Sequence, residues 1–145
     1  MNLFYIIALA AFLPIAGAAQ TVETPLVVSA SEVILADLLW VKRPLVVFAD
    51  SPNDPNFIRQ MQLLDRDAGD LAKRDVLVIT DTDPDAKSAI RLKLRPRGFS
   101  LVLMDKDGQA KLRKPLPWDV REITRAIDKF PLVRQEALDR YPSGR

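Results

Sequence analysis

The sequence predicts an α/β fold in which a mixed four-stranded sheet is flanked by helices. Two short runs, LVVFA at residues 45–49 and VLVIT at residues 76–80, are rich in β-branched residues and indicate buried strands. An amphipathic helical segment follows each run, and a strand–helix–strand connection of this kind makes the two strands parallel. A hairpin at residues 99–113 adds antiparallel strands to the pair. The predicted order is therefore strand, helix, strand, helix, hairpin and helix, after an N-terminal helix.

The hairpin carries the clearest local signal. Residues 99–104 are apolar except for Ser100, as in a strand that is buried on both faces. The segment from Asp105 to Gly108 is typical of a tight turn, because Asp-Gly supplies the positive φ that hairpin turns need. Apolar and basic side chains then alternate over residues 110–113, which indicates a strand with one face in solvent. We therefore expect a central strand and a more exposed one.

Each of the first four predicted helices begins at a residue that favours the helix N-cap. These residues are Ser31, Asp54, Asp83 and Asp119. The first helix is predicted to run to Trp40, and a last helix is predicted over residues 132–141. The helix after Asp54 has apolar residues at spacings of four, three, four and three, which place them on one face. They are Phe57, Met61, Leu64, Ala68 and Leu71.

The composition limits the chemistry that the chain can perform. Its 145 residues, 48% hydrophobic and 28% charged, are expected to form one globular domain. The chain contains no cysteine and no histidine. The first absence excludes thiol redox chemistry and disulfides, and the second excludes imidazole as a metal ligand or general base. The formal net charge of +2 is too small to indicate nucleic-acid binding.

Residues 1–19 are predicted to be a secretory signal peptide. Residues 3–15 are strongly apolar, and the small residues that follow suit cleavage after Ala18 or Ala19. An uncleaved transmembrane anchor is the alternative, although the apolar run is shorter than the roughly 20 residues that a span needs. We therefore expect a periplasmic or secreted protein with no membrane span after cleavage. The mature chain is predicted to have a flexible lead-in at residues 20–30, a single domain at 31–141 and a loose tail at 142–145.

Four segments, which together span nearly the whole predicted mature chain, resemble a known family. They are WVKRPLVVFA at residues 40–49, KRDV at 73–76, LMDKDGQAKLR at 103–113 with Trp118, and IDKFPLVRQE at 127–136. In element order the chain resembles the thioredoxin and peroxiredoxin superfamily. It resembles more closely the domain of unknown function 4174 family of small secreted bacterial proteins, which has a related domain in sushi-repeat extracellular proteins. The resemblance implies a thioredoxin-like fold and no established activity.

The chain departs from the redox members of that superfamily at the two positions on which their redox chemistry depends. Those proteins carry their active cysteines in the loop and helix start after the first sheet strand, which here is the cysteine-free segment 50–57. They also place a cis-proline before the hairpin, where this chain has Gly98 and Phe99. The loop's polar residues form a candidate vestigial site, and the alternative is that they serve turns and helix capping. They are Asp50, Ser51, Asn53 and Asp54.

A second candidate is a basic face around the hairpin. Residues 87–114 carry nine basic and two acidic residues, whereas the remainder of the chain has an acidic excess. Such a face would suit an anionic partner, and the alternative is that the basic residues protect an edge strand from aggregation. The residues of this candidate face are Arg97, Lys106, Lys111, Arg113 and Lys114.

Three smaller patterns have structural interpretations that we favour. Asp81, Asp83 and Asp85 alternate like calcium ligands, but the glycine and glutamate that such a loop requires are absent, so a turn is expected. Charged residues within the family resemblance are expected to form an arginine–carboxylate network that fixes helices to the sheet. They are Arg74, Asp75, Arg134 and Glu136. Trp40 and Trp118 are expected to pack rather than to bind a ligand.

The sequence leaves two functions open. The first is a non-catalytic extracytoplasmic binding or accessory module, with no cofactor, no metal and an unidentified partner such as an anionic envelope component or a protein. The second is a cysteine-independent enzyme that uses carboxylate or lysine acid–base chemistry near the former redox site. The second requires at least two ionisable groups to converge in a pocket with shifted pKa values.

Overall fold

The computed structural model describes residues 26–142. The strands are β1 (Val27–Ser29), β2 (Arg43–Phe48), β3 (Val76–Asp81), β4 (Ser100–Met104) and β5 (Ala110–Lys114). The helices are α1 (Leu35–Leu38), α2 (Pro55–Arg66), α3 (Ala68–Ala72), α4 (Ala89–Leu94), α5 (Val120–Ile127) and α6 (Pro131–Arg140). The predicted signal peptide, residues 1–19, and residues 143–145 of the predicted tail lie outside the described residues.

The sheet has five strands in the order β1-β3-β2-β4-β5, so the predicted count of four is corrected by one. The additional strand, β1, lies within the segment predicted to be a flexible lead-in and pairs in parallel with β3. Strands β2 and β3 are parallel, as expected, and β4 pairs antiparallel with both β2 and β5. The mixed α/β architecture is therefore confirmed, with the hairpin forming one edge of the sheet.

Alternation along the central strands divides the core into two layers. Leu45 and Val47 of β2 face a layer that also contains residues of α2, α3 and α5. Val46 and Phe48 face the other layer, which is covered by α1, α4 and a 3₁₀ turn at Ala30–Glu32. Because α1 has four residues and α4 has six, this second face of the sheet has the thinner cover.

The predicted helices differ from the observed ones in three places. The single helix expected from Ser31 to Trp40 is wrong, because the chain forms the 3₁₀ turn and then the separate short helix α1. Between the two, Val33 and Ile34 are extended, the backbone conformation that β-branched residues favour. The helix after Asp54 is interrupted at Asp67 and continues as α3. The helix expected to begin at Asp83 is wrong in its start, because Asp83 caps only a 3₁₀ turn at Pro84–Ala86, and α4 begins after it with Ser88 as its N-cap. No helix among residues 26–142 is long and apolar enough to cross a membrane.

Candidate functional site

The loop from Asp50 to Asp54, the candidate vestigial site, uses its side chains for local structure. Asp54 caps α2, because its Oδ1 accepts hydrogen bonds from the N–H groups of Asn56 at 2.8 Å and Phe57 at 3.3 Å. The hydroxyl of Ser51 accepts a hydrogen bond from the N–H of Asn53 at 3.1 Å. Asp50 and Asn53 are exposed. The two aspartates therefore do not converge on a cavity.

Four of the five residues of the candidate basic face make contacts within the domain, and Arg97 is exposed. The Lys111 ammonium lies 3.4 Å from the Asp107 carboxylate, and the Lys114 ammonium lies 4.5 Å from the centre of the Trp118 ring. Arg113 donates a hydrogen bond to the carbonyl of Leu94 at 2.7 Å.

Lys106, the fifth of these basic residues, is buried rather than part of an exposed face, with a relative exposure of 9%. Its ammonium lies 2.7 Å from Asp75 and 2.9 Å from Glu136. The binding role of Arg97, Lys111, Arg113 and Lys114 stays a prediction.

A buried ion pair lies where β2 begins and β4 ends. Arg43 and Asp105 are each 1% exposed, and the Nε of Arg43 donates to Oδ1 of Asp105 at 2.9 Å. The same guanidinium donates to the carbonyl of Arg74 at 3.0 Å and to Glu136 at 3.1 Å. It thereby connects the sheet to the segment before β3 and to α6. The other oxygen of Asp105, Oδ2, is buried and has no hydrogen-bond partner among the described residues.

Further ion pairs extend this network across the same end of the sheet. Arg74 binds Asp128 through two hydrogen bonds of 2.8 and 3.0 Å, a bidentate arrangement that joins the segment before β3 to the end of α5. Lys106 joins the hairpin turn to Asp75 and to Glu136 of α6. The expected network is thus present for Arg74, Asp75 and Glu136, whereas Arg134 forms no ion pair with a residue in the described range.

Three carboxyl groups of the network have lowered pKa values. Partial burial by itself would raise the pKa of Asp75 and of Glu136, but hydrogen bonds and charges from Lys106 and Arg43 outweigh it. The pKa of Asp128 is lowered first by its hydrogen bond from Arg74, whose own pKa is raised mainly by the same bond. These groups therefore stay ionised at neutral pH, which suits structural ion pairs rather than general acid catalysis.

The lowered pKa values predict that the domain loses stability in acid. Because the folded-state pKa values of Asp75, Asp128 and Glu136 lie below the ordinary values of about 3.9 and 4.3, the unfolded chain takes up protons first as the pH falls. The ion-pair contribution is therefore complete above about pH 5 and is lost as the pH falls through the folded-state pKa values. Urea unfolding at pH 7, 5, 4 and 3 checks this, and a midpoint that is constant down to pH 3 would contradict it.

A second polar cluster lies at the opposite end of β2 and β3. The guanidinium of Arg91 in α4 binds Asp81 Oδ1 at 2.9 Å and donates to the carbonyl of Ala49 at 2.9 Å. The other carboxylate oxygen of Asp81 accepts a hydrogen bond from Ser88 at 2.5 Å. Asp83 accepts from the N–H of Asp85, which makes it a helix cap. Within residues 26–142, no group of three or more acidic side chains is placed to hold a metal ion.

An apolar cavity of about 180 Å³ opens between α1, α4 and the β4–β5 turn. Most of its lining is aliphatic, and three lysines also contribute. The lining residues are Leu35, Ala36, Leu38, Leu39, Lys42, Pro44, Lys93, Met104, Asp105, Lys106 and Gly108. The cavity lies on the thinly covered face of the sheet, beside the start of β2.

Comparison with known proteins places the chain in a family. Residues 34–136 match the family described as Domain of unknown function (DUF4174). The chain belongs to the DUF4174 family. Two solved Plasmodium yoelii structures, Prx1a modified at the N-terminus and thioredoxin peroxidase I, each align with a TM-score of 0.52 at 18% identity. The alignments cover 78% of this chain and 84% and 83% of theirs. No curated protein sequence matches significantly.

The likeness to the two peroxidases shows the fold of this DUF4174 domain, which is the thioredoxin-like fold expected from the sequence. The chain contains no cysteine, and thiol peroxidase activity is therefore excluded for it. The predicted family and fold class are confirmed. This likeness concerns the fold only, and the polar clusters and the cavity are features of this chain's own structure.

The sequence interpretation missed Arg43 and Gln60, two polar residues that are fully buried in the DUF4174 domain. Arg43 lies in the segment WVKRPLVVFA that carries the family resemblance, and no role of its own was predicted for it. A signal for it existed in the sheet register, because an antiparallel pairing of Leu45 with Leu103 brings Arg43 opposite Asp105. Gln60 lies on the inner face of α2, where only the apolar stripe was considered.

Gly108 is one of the residues that line the cavity, and its replacement by alanine is expected to destabilise the DUF4174 domain. Its φ of +79° strains any residue with a Cβ, and that Cβ would lie 2.8 Å from the Leu39 side chain. We expect a loss of about 1–2 kcal/mol from the left-handed backbone, and a further small loss from displacing Leu39. Gly98→Ala is the matched control, because Gly98 has a φ of +57° and open space around its Cβ position. Equal losses in urea unfolding would contradict the Leu39 contact.

Proposed function

We propose that this DUF4174 protein is a non-catalytic, extracytoplasmic binding or accessory module. The observation that carries the proposal is the separation between the cavity and the former redox loop. The cavity lies beside Pro44 near the start of β2, whereas Asp50 follows the end of that strand. Six residues of extended chain separate the two positions by about 20 Å. The concave apolar surface is therefore remote from the place where thioredoxin-like enzymes keep their nucleophile.

The side chains of that loop support a non-catalytic role. Asp54 and Ser51 are committed to the start of α2 and to a turn, and Asp50 is exposed. An acid–base enzyme at this position would need two ionisable groups that converge on a pocket, with a shifted pKa for at least one of them. The lowered pKa values of Asp75, Asp128 and Glu136 belong to ion pairs at the other end of the sheet.

The proposed location outside the cytoplasm rests on residues 1–19 alone. The apolar run and the small residues before Gln20 support export and cleavage. Expression of the full chain in a bacterium with two membranes, followed by fractionation and N-terminal mass analysis, tests this part. A chain that begins at Ala19 or Gln20 in the periplasmic or secreted fraction is expected. An intact N-terminus in the cytoplasmic fraction would overturn it.

Binding is tested by capture from cell-envelope extract with the protein that begins at Gln20. Four proteins are compared: wild type, a cavity variant, a loop variant and a basic-face variant. The cavity variant is Ala36→Phe, the loop variant is Asp50→Asn, and the basic-face variant combines Arg97→Gln, Lys111→Gln and Arg113→Gln. Lys106 is left unchanged because its replacement would disrupt the ion-pair network.

Each capture result bears on the choice between the two functions. A component that wild type retains, and that either the cavity or the basic-face variant loses, supports a binding module. If wild type instead converts a small molecule of the extract chemically and Asp50→Asn does not, the result supports the enzyme alternative. Retention of nothing by wild type, or equal retention by all four proteins, contradicts the proposed binding function.

A further inference from the structure

We propose that the cavity between α1, α4 and the β4–β5 turn binds a small amphiphilic anion, with an apolar tail inside and an anionic head at Lys42 and Lys93. The inference deepens the proposed binding function and rests on it. It names the ligand class by chemistry: a short hydrocarbon chain with a carboxylate or phosphate head. Neither the resemblance nor the comparisons assign a ligand to this surface.

The lining of the cavity suits a hydrocarbon tail. Leu35, Leu38 and Leu39 form the wall from α1 and the residue after it, and Pro44 and Met104 belong to the sheet beneath. A volume of 180 Å³ equals that of about six water molecules in the liquid, so the cavity holds about six carbons of a tail, and the remaining carbons of an eight-carbon chain lie outside it with the head group. Burial of such a tail against aliphatic side chains supplies favourable free energy without a directional contact.

Two lysines give the cavity its preference for an anion. Lys42 and Lys93 line it, and neither forms an ion pair with a carboxylate of residues 26–142. Lys42 lies near enough to Asp75 to contribute to that group's lowered pKa, but Asp75 is paired with Lys106. An incoming head group would therefore meet cations that do not have to give up an existing ion pair.

Asp105 is the carboxylate that could oppose an anion, because it also lines the cavity. Its Oδ1 is paired with Arg43 and accepts a hydrogen bond from the N–H of Lys106 at 2.8 Å. Its Oδ2 is inaccessible to solvent in the free protein, so a ligand in the cavity does not touch it. The nearby negative charge is thus neutralised within the fold. A cation would find no accessible acceptor on this residue.

Exposed apolar residues also adjoin the lining residues of α1 and Lys42 in the sequence. Ile34, Leu39, Trp40 and Val41 are all exposed in one short segment, and Trp40 is 66% exposed. Trp40 has a φ of 64°, a left-handed conformation that is rare for a bulky residue. Its N–H donates to the carbonyl of Lys106 at 2.8 Å, which fixes this segment against the hairpin turn. This hydrogen bond therefore fixes the position of the segment that carries the lining residues Leu39 and Lys42.

Calorimetric titration of the chain that begins at Gln20 with octanoate, octyl phosphate, octanol and octylamine tests the ligand class. Saturable one-to-one binding of at least one of the two anions is expected, and the comparison of octanoate with octyl phosphate identifies the preferred head. Octanol, which has the same tail without a charge, should bind at least threefold more weakly than the better anion. Octylamine should bind more weakly still. Equal or tighter binding of octanol or octylamine, or no binding of either anion, would overturn the proposal.

Two matched pairs of variants test the position of the site. The double variant Lys42→Gln/Lys93→Gln should weaken anion binding about threefold to tenfold and leave octanol unchanged, whereas Lys87→Gln/Lys129→Gln changes the net charge equally and should have no effect. Ala36→Phe should fill the cavity mouth and abolish binding of all probes, whereas Ala89→Phe on α4 lies outside the lining and should not. Circular dichroism verifies that each variant is folded.

The variant results also separate this inference from the broader function. If the two lysine double variants behave alike, or if Ala36→Phe binds octanoate as wild type does, the cavity is not the anion site. If the anions fail but an envelope component is still captured and lost in the basic-face variant, the binding function stands and only the cavity ligand is rejected. Binding to phosphatidylglycerol vesicles that Ala36→Phe does not weaken would place lipid contact on the surface and overturn the cavity site.

Discussion

Replacement of Arg43 by methionine is expected to destabilise the domain by about 3–5 kcal/mol, the largest effect of any single substitution considered. The change removes three hydrogen bonds from a residue that is almost completely buried. It leaves the Asp105 carboxylate in the interior without a cation, with one oxygen already lacking a partner. Urea unfolding at pH 7, followed by circular dichroism, measures the loss.

Arg59→Met is the matched control for this prediction, because Arg59 is exposed on α2 and the same atoms are changed. Its effect should lie within about 0.5 kcal/mol of zero. The double variant Arg43→Met/Asp105→Leu should recover part of the loss, since the unpaired buried charge is then removed. If Arg43→Met costs no more than Arg59→Met, the buried pair does not stabilise the fold in the way described.

Replacement of Gln60 by leucine is expected to cost about 2–4 kcal/mol, although the new side chain is similar in size and more apolar. Gln60 is fully buried in α2 and makes two hydrogen bonds with the backbone of Trp118. Its Nε2 donates to the Trp118 carbonyl at 2.9 Å, and its Oε1 accepts from the Trp118 N–H at 2.7 Å. Leucine would leave both backbone groups without their present partner in the part-buried segment that precedes α5.

Gln62→Leu provides the comparison within the same helix, because Gln62 is exposed. Its effect on the urea midpoint should be small, and any change in helix propensity is shared by the two variants. Trp118 fluorescence offers a second readout, since loss of the two hydrogen bonds should loosen its surroundings in the Gln60 variant. An unchanged midpoint and spectrum for Gln60→Leu would show that water replaces the lost hydrogen bonds.

The parts of the fold that the sequence predicted are those with strong local patterns. Residues 45–49, 76–80 and 99–104 are short apolar runs between turn residues, and each lies within or beside an observed central strand. Asp54 and Asp119 cap their helices as expected. Strand β1 was missed because three residues are too few to show a period, and it forms only because β3 offers an unpaired edge.

The polar sites were less accessible to sequence reasoning because they depend on pairings between distant segments. Arg43 becomes buried only when the register of β2 and β4 brings it to Asp105, and Lys106 is drawn inward by Asp75 and Glu136. A count of basic residues along residues 87–114 therefore overstates the charge that the surface presents. The cavity depends on how far α1 and α4 cover the sheet, which no local pattern specifies.

The way α6 is attached determines when it opens relative to the rest of the domain. No residue of this helix is buried, and it is joined to the rest through Glu136 and the half-buried Val133. Both partners of Glu136, Arg43 and Lys106, reach their positions only after the sheet and hairpin have assembled. The helix should therefore dock late and detach first. Its backbone amides should exchange with deuterium well before those of β2 and β4, and faster still as salt weakens the ion pairs.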